Sequence, residues 1–162
     1  MKERAFVRGA LIAAIYFVLS YAFQPISYGQ FQIRISEVLT ILPFFFPEAI
    51  LGLTAGCILT NLFSPFGIID VVFGSICTFI ASYLTYYLRI FKKPYLGIFP
   101  PIIINALGVG LYISILTNEP KVFNLYRYLV FAFSIGVGEA ISVGIGGSLL
   151  ITYFIKRKNV LK

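Results

Sequence analysis

Several polar side chains that could bind a small molecule stand inside or beside the apolar stretches of this sequence. Three of them are the carboxylates of Glu37, Asp70 and Glu139. A charged side chain at the bilayer centre costs about 2.5–3.5 kcal/mol on insertion scales, so acids inside apolar spans usually serve a function. One arginine, two amides and one tyrosine complete the candidate binding residues, which are Arg34, Glu37, Asn61, Asp70, Asn105, Tyr112 and Glu139.

A pocket built from acids, amides and aromatic rings suits a flat, polar ligand with several N–H donors. A carboxylate can accept two parallel N–H bonds from a guanine-like edge, and an asparagine amide matches an edge that mixes donors and acceptors. Tyr16, Tyr28 and Tyr112 could stack on the ring. The same composition would suit a cationic amine, so the residue types leave both ligand classes open.

Each candidate also has a structural interpretation. Glu37 and Asp70 stand at predicted helix starts, where a carboxylate can simply interact with the helix N-terminus. Asn61 and Asn105 could only bridge neighbouring helices. Glu139 lies in the middle of an apolar stretch, so its structural alternative is a salt bridge to an arginine, either Arg34 or Arg127.

The composition places the chain in a membrane. Hydrophobic residues make up 59% and charged residues 12%, whereas a soluble globular chain carries about 25% charged residues. The net charge of +7 would fit a nucleic-acid partner, but the cations flank hydrophobic spans, so no nucleic-acid binding is expected. The chain has no histidine and no CxxC motif, and we expect neither a metal site nor a cofactor.

Hydropathy predicts six transmembrane helices, although the second of them is short. The residues 38–47 would cover only about 15 Å as an α-helix, at 1.5 Å per residue. Pro43 and Pro47 could instead kink one long span over 38–62, which would leave five spans. The six predicted spans lie near residues 6–23, 36–46, 48–63, 68–88, 95–116 and 125–155.

The distribution of Lys and Arg favours six spans over five. With the N-terminus inside, six spans place ten of the thirteen cations in the cytoplasm, whereas five spans place only five of them there. Cytoplasmic loops carry the excess of Lys and Arg. The sequence therefore predicts one all-α domain over 1–162 with six transmembrane helices and both termini in the cytoplasm. The ten cations are Lys2, Arg4, Arg8, Arg89, Lys92, Lys93, Lys156, Arg157, Lys158 and Lys162.

This topology places the candidate residues of five helices in the outer half of the bilayer. Scattered polar residues would occupy both halves, so we predict one outward-facing pocket between the helices. The loop Gln24–Ile35 is unusually apolar and could fold over the pocket as a lid. It could equally lie at the lipid headgroups.

The first helix carries a face of small residues at Gly9, Ala10, Ala13 and Ala14. Small residues four apart let two helices approach closely, so this face could pack inside the chain or dock on another protein. The chain has no G-x-x-x-x-G-K-[ST] motif and therefore no P-loop for ATP. These features indicate a capture subunit that depends on the ATPase of other chains.

Four segments of the sequence resemble the QueT family, whose members are substrate-binding (S) components of energy-coupling factor (ECF) transporters. The resemblance implies an S-component-like bundle in the plasma membrane, with a T component and two ATPase subunits as partners. It implies a 7-deazaguanine ligand such as preQ1, preQ0 or queuine. It also implies a docking role for the A-x-x-x-A pair, Ala10 and Ala14. The segments are Gln30–Thr40, Gly52–Gly74, Asn105–Gly110 and Gly138–Glu139.

Two other functions are compatible with parts of the same sequence pattern. An S component could capture another vitamin-like or purine-like nutrient with the same kind of pocket. A small intramembrane enzyme could act on a lipid or prenyl substrate, but the sequence offers no histidine, metal cluster or activated nucleophile for that chemistry. The sequence therefore predicts a transport protein and not an enzyme.

Overall fold

The computed structural model describes residues 2–27, 33–119 and 121–157, and every regular element in these ranges is helical. The prediction of an all-α fold is therefore confirmed. A single turn of helix at Gln24–Ser27 follows the first of six main helical stretches. These stretches are α1 (Lys2–Ala22), α2 (Ile35–Phe44), α3 (Ala49–Asn61), α4 (Asp70–Phe91), α5 (Pro94–Leu116) and α6 (Leu125–Lys156).

Four of these helices are long and apolar enough to cross a membrane. They are α1, α4, α5 and α6, whereas α2 and α3 are apolar but have only 10 and 13 residues. The six stretches follow the six predicted ranges in order. The number of helices that cross the bilayer and the cytoplasmic position of the termini stay predictions.

The short second helix is wound as a 3₁₀-helix along its whole length. A 3₁₀-helix rises about 2.0 Å per residue, so ten residues cover about 20 Å and not the 15 Å of an α-helix. Seven of its ten residues are buried, because α2 packs against α1, α4 and α6. The second helix is therefore a central element of the bundle, and its first turn brings Glu37 into the interior.

Helices α1 and α3 approach each other closely through glycines. A Cβ atom at Gly52 would lie 2.5 Å from the carbonyl oxygen of Gly9, and one at Gly56 would lie 2.9 Å from that of Ala13. Real Cβ atoms do not come this near to backbone oxygens, so glycine is required at both positions of α3. Gly9 and Ala13 are accordingly buried, and this part of the small-residue face packs inside the chain.

The other half of that face points away from the bundle. Ala10 and Ala14 are exposed on α1. At the same end of the helix, Nη1 of Arg8 forms a 3.0 Å ion pair with Oε1 of Glu48, which fixes the start of α3 beside the start of α1. The tertiary structure thus divides the small-residue face into one pair that packs internally and one pair that remains accessible.

Candidate binding site

All seven candidate binding residues are buried. Each side chain is at most 9% exposed, and five helices together with the residue before α2 supply them. They form two linked groups, one around Asp70 and the other around Glu37 and Glu139. The fold buries these residues together in its interior, and their role in binding a ligand stays a prediction: Arg34, Glu37, Asn61, Asp70, Asn105, Tyr112 and Glu139.

Asp70 is the centre of the first group. Its Oδ1 accepts a hydrogen bond from the hydroxyl of Tyr112, and its Oδ2 lies 3.6 Å from Nη2 of Arg34. The backbone carbonyl of Asp70 accepts a 2.9 Å hydrogen bond from Nδ2 of Asn61. Asp70 therefore does more than interact with its own helix end, because it joins three other elements to the start of α4.

A glycine makes room for this group. A Cβ atom at Gly74 would lie 2.6 Å from Nδ2 of Asn61, 3.0 Å from Oδ1 of Asp70 and 3.3 Å from the hydroxyl oxygen of Tyr112. Gly74 was not among the predicted site residues. Its position four residues after Asp70 was the available signal, since residues four apart share one face of a helix.

Glu37 is held by a tyrosine of the first helix. The hydroxyl of Tyr16 donates a 2.5 Å hydrogen bond to Oε1 of Glu37, and the tyrosine side chain is fully buried. Sequence reasoning offered Tyr16 only as a stacking ring, and the structure shows it as a hydrogen-bond donor. The second carboxylate oxygen of Glu37, Oε2, is buried and has no hydrogen-bond partner among the described residues.

Glu139 is held by an amide of the fifth helix. Nδ2 of Asn105 donates a 2.8 Å hydrogen bond to Oε1 of Glu139. Two arginines could have formed a salt bridge with Glu139. Of these, Arg127 bonds to other residues, since its Nη1 donates hydrogen bonds to the backbone carbonyl of Thr117 and to Oδ1 of Asn118. Oε2 of Glu139 is buried, and within the described ranges no group hydrogen-bonds to it.

A small cavity lies between the two groups. Its volume is about 10 Å³, which is room for roughly one water molecule. The structure is therefore a closed form of the site, and a ring-sized ligand requires the walls to move apart. The walls are formed by Arg34, Gly74, Thr78, Asn105, Val109, Ile135 and Glu139.

The sequence profile of the family described as QueT transporter matches residues 6–156. The chain belongs to the QueT transporter family. Together with its apolar helices, this membership makes the chain a multi-pass membrane protein of a transporter family. The prediction made from the four sequence segments is confirmed at the level of the family.

A curated relative of this QueT-family chain is the "Queuosine precursor transporter QueT" of Lactococcus lactis subsp. cremoris (strain MG1363). The two sequences are 37% identical over 73 residues, which are 44% of this chain and 43% of the relative. The match thus covers less than half of the relative's length. No solved structure matches the chain.

The three longest interior helices of this QueT-family chain widen at the site. Each contains a π-helical segment, and these segments are Asp70–Gly74, Asn105–Val109 and Ala140–Gly147. Asp70 and Asn105 begin their segments, and Glu139 immediately precedes the third. Such segments occur frequently at functional sites. Sequence periodicity gave no sign of them, because a π-turn adds one residue without changing the apolar character of the helix.

The predicted lid lies partly outside the described residues. The loop Gln24–Ile35 includes residues 28–32, and with them Tyr28, so its closure over the site stays a prediction. The structure places its final part at the site, since Arg34 directly precedes α2 and is 6% exposed. In the described part of the chain, no group of three His, Cys, Asp or Glu side chains is arranged to hold a metal ion.

Proposed function

We propose that this chain is the substrate-binding component of an ECF-type importer and that it captures a queuosine precursor from outside the cell. The ligand would be a 7-deazaguanine such as preQ1, preQ0 or queuine. One observation carries the proposal: Glu139 of a QueT-family chain is buried beside a polar cavity, with one oxygen bonded to Asn105 and the other without a hydrogen-bond partner among the described residues. The name of the Lactococcus relative supports the substrate class.

The site offers hydrogen-bond acceptors, and a deazaguanine offers hydrogen-bond donors to match them. The ring edge of a guanine-like base presents two neighbouring N–H groups, and a carboxylate oxygen without a partner can accept such a bond. Leaving a buried polar group unsatisfied costs about 1–3 kcal/mol. A ligand that donates to Oε2 of Glu37 or Glu139 removes this cost, so the closed site favours ligands rich in N–H donors.

Binding requires the site to open. A cavity of about 10 Å³ cannot hold a two-ring base, so the ligand must separate the helices or displace the segment before α2. Arg34 contributes to the cavity wall and lies in the last part of the loop Gln24–Ile35. Movement of this loop would therefore open the site and reposition a charged wall residue in one step.

Docking on the partner subunits would use the accessible side of α1. Ala10 and Ala14 are exposed there, and a groove of about 370 Å³ runs between α1 and α3 beside them. The groove is lined mainly by small and apolar residues, such as Ala5, Gly9 and Ala55. Such a surface suits close approach of a helix from the T component, and two ATPase subunits would supply the energy for release inside.

Titration of the purified chain tests the proposal. The protein in detergent or nanodiscs is titrated with preQ1, preQ0, queuine, guanine, biotin and thiamine, and heat of binding is recorded. We expect saturable binding of at least one deazaguanine with nanomolar-to-micromolar affinity, and weaker binding by Glu139→Gln. Glu119→Gln is the matched control, because Glu119 is exposed in the loop before α6.

The outcome of this titration separates the alternatives. Binding of biotin or thiamine without any deazaguanine would assign the chain to another nutrient. Absence of heat for every deazaguanine, with a folded protein, would end the proposed substrate class. Mass spectrometry of the ligand that co-purifies with the chain provides an independent check.

A further inference from the structure

We infer that the ligand of this site carries a positive charge and that Glu37 and Glu139 together bind it. The inference rests on the proposed function for the identity of the ring. Its own evidence is the balance of charges in the buried site and the Oε2 atoms of Glu37 and Glu139, which have no hydrogen-bond partner in the described part of the chain.

The site contains more negative than positive charge. Three carboxylates, Glu37, Asp70 and Glu139, are buried with a single guanidinium, that of Arg34. Arg34 lies 3.6 Å from Oδ2 of Asp70 and also attracts Glu37 and Glu139, so one cation faces three carboxylates. The loop residues 28–32 are Tyr, Gly, Gln, Phe and Gln and bring no charge to the site.

The other arginines near the helix ends cannot supply the missing charge. Arg8 pairs with Glu48 at the opposite end of α1, and Arg127 is exposed and bonded to Thr117 and Asn118. Within the described residues, Glu37 and Glu139 therefore share the single guanidinium of Arg34 with Asp70.

The two remaining carboxylates are bound in the same manner. Each has its Oε1 bound by a neutral donor, Tyr16 for Glu37 and Asn105 for Glu139. Each has a buried Oε2 that no group of the described residues hydrogen-bonds, and the two carboxylates interact electrostatically with each other. Glu139 is 3% exposed and lines the cavity, so its unpartnered oxygen borders the space that a ligand would enter.

The packing of α2 against α6 holds these carboxylates near each other. A Cβ atom at Gly146 would lie 2.4 Å from Cγ2 of Val38, so the glycine allows the two helices to come close just beyond the acids. Val38 follows Glu37 directly in α2, and Gly146 lies two turns after Glu139 in α6. The acid pair is therefore built into a tight helix contact.

Two buried like charges repel each other unless a cation compensates them. A neutral N–H donor gives each carboxylate a hydrogen bond but no compensating charge. An ammonium group supplies both, because it carries a full charge and three N–H donors that can reach two acceptors. The site therefore favours a deazaguanine with an aminomethyl group over one with a neutral substituent at the same ring position.

The test compares two ligands that share one ring. The intact chain is titrated at neutral pH with 7-aminomethyl-7-deazaguanine, which is a cation, and with 7-cyano-7-deazaguanine, which is neutral. We expect the amine to bind about tenfold or more tightly, a difference of about 1.4 kcal/mol. Glu37→Gln and Glu139→Gln should each reduce this ratio, whereas Glu119→Gln should leave it unchanged.

The possible results separate this inference from the proposed function. Equal affinities, or a tighter nitrile, would overturn the charge inference and leave the deazaguanine assignment in place. If neither deazaguanine binds while the cation thiamine does, the assignment fails and the charge inference stands. The ratio of the two affinities in the unmodified chain tests the charge inference even if a glutamine variant does not fold.

Discussion

Nδ2 of Asn105 donates a 2.8 Å hydrogen bond to Oε1 of Glu139, and both side chains are buried. This bond joins α5 to α6 at the point where both helices contain π-helical turns. It fixes the orientation of the glutamate, so that its other oxygen is the one left for a ligand. The amide thus acts as a positioning group for the carboxylate.

Replacing the amide by an apolar side chain of similar size should weaken both binding and stability. Asn105→Leu leaves the buried Glu139 without its donor, and a lost hydrogen bond to a charged group costs about 1.5–3 kcal/mol. We expect ligand affinity to fall by about tenfold or more and the thermal midpoint to drop. Calorimetry and thermal unfolding in detergent measure the two effects. Asn118→Leu also removes hydrogen bonds but lies in the loop before α6, so it should leave ligand affinity unchanged; an equal loss of affinity in both variants would contradict the positioning role.

A methyl group at Gly74 should disrupt the cluster around Asp70. In Gly74→Ala the new Cβ atom would lie 2.6 Å from Nδ2 of Asn61, so the network must shift. Overpacking of this kind costs about 1–3 kcal/mol. We expect a lower thermal midpoint and weaker ligand binding.

Gly144→Ala is the matched control for this substitution. Gly144 also lies within a π-helical segment, but a Cβ atom there would meet nothing within 4 Å. Its unfolding and binding should therefore match those of the unmodified chain. A Gly74→Ala variant as stable as Gly144→Ala would show that the cluster has more room than the structure indicates.

The hydroxyl of Tyr16 should contribute to stability separately from its ring. Tyr16→Phe keeps the buried ring and removes the donor to Oε1 of Glu37, a buried carboxylate whose Oε2 has no hydrogen-bond partner among the described residues. We expect a loss of about 1.5–3 kcal/mol in unfolding free energy. Denaturant unfolding of the protein in micelles measures it. Tyr21→Phe removes an exposed hydroxyl from the same helix, and a similar effect there would refute the specific role of Tyr16.

Enlarging the accessible side of α1 should separate binding from transport. Ala10→Leu adds bulk at an exposed position beside the groove between α1 and α3, away from the buried site. We expect unchanged ligand affinity in the isolated chain and strongly reduced uptake in cells. Ala22→Leu makes the same change at an exposed position near the other end of α1 and should preserve uptake. Loss of binding in Ala10→Leu would reject the division between docking surface and site.

The sequence by itself determined the class of the protein and identified the polar residues that the fold buries together. The free energy of transfer into a bilayer is a sum over individual side chains. Hydropathy and the positions of charges therefore suffice to find the helices and to identify the acids whose placement in an apolar stretch is costly. Glu37, Asp70 and Glu139 stood out for this reason. The segment Gly52–Gly74 resembled the family to which the chain belongs.

Only the tertiary structure decided which groups pair with which. The bonds of Tyr16 to Glu37, Asn105 to Glu139 and Tyr112 to Asp70 join residues 21, 34 and 42 positions apart in the chain. Such pairings depend on the relative rotation and spacing of whole helices, which hydropathy does not encode.

The division of the small-residue face shows the same limit. Gly9 and Ala10 are neighbours of similar size, yet one is buried against α3 and the other is exposed. The 3₁₀ winding of α2 and the π-turns at Asp70, Asn105 and Glu139 likewise arise because the packed bundle requires those lengths and angles. Side-chain chemistry selects the environment of each residue, but close packing between helices decides its contacts.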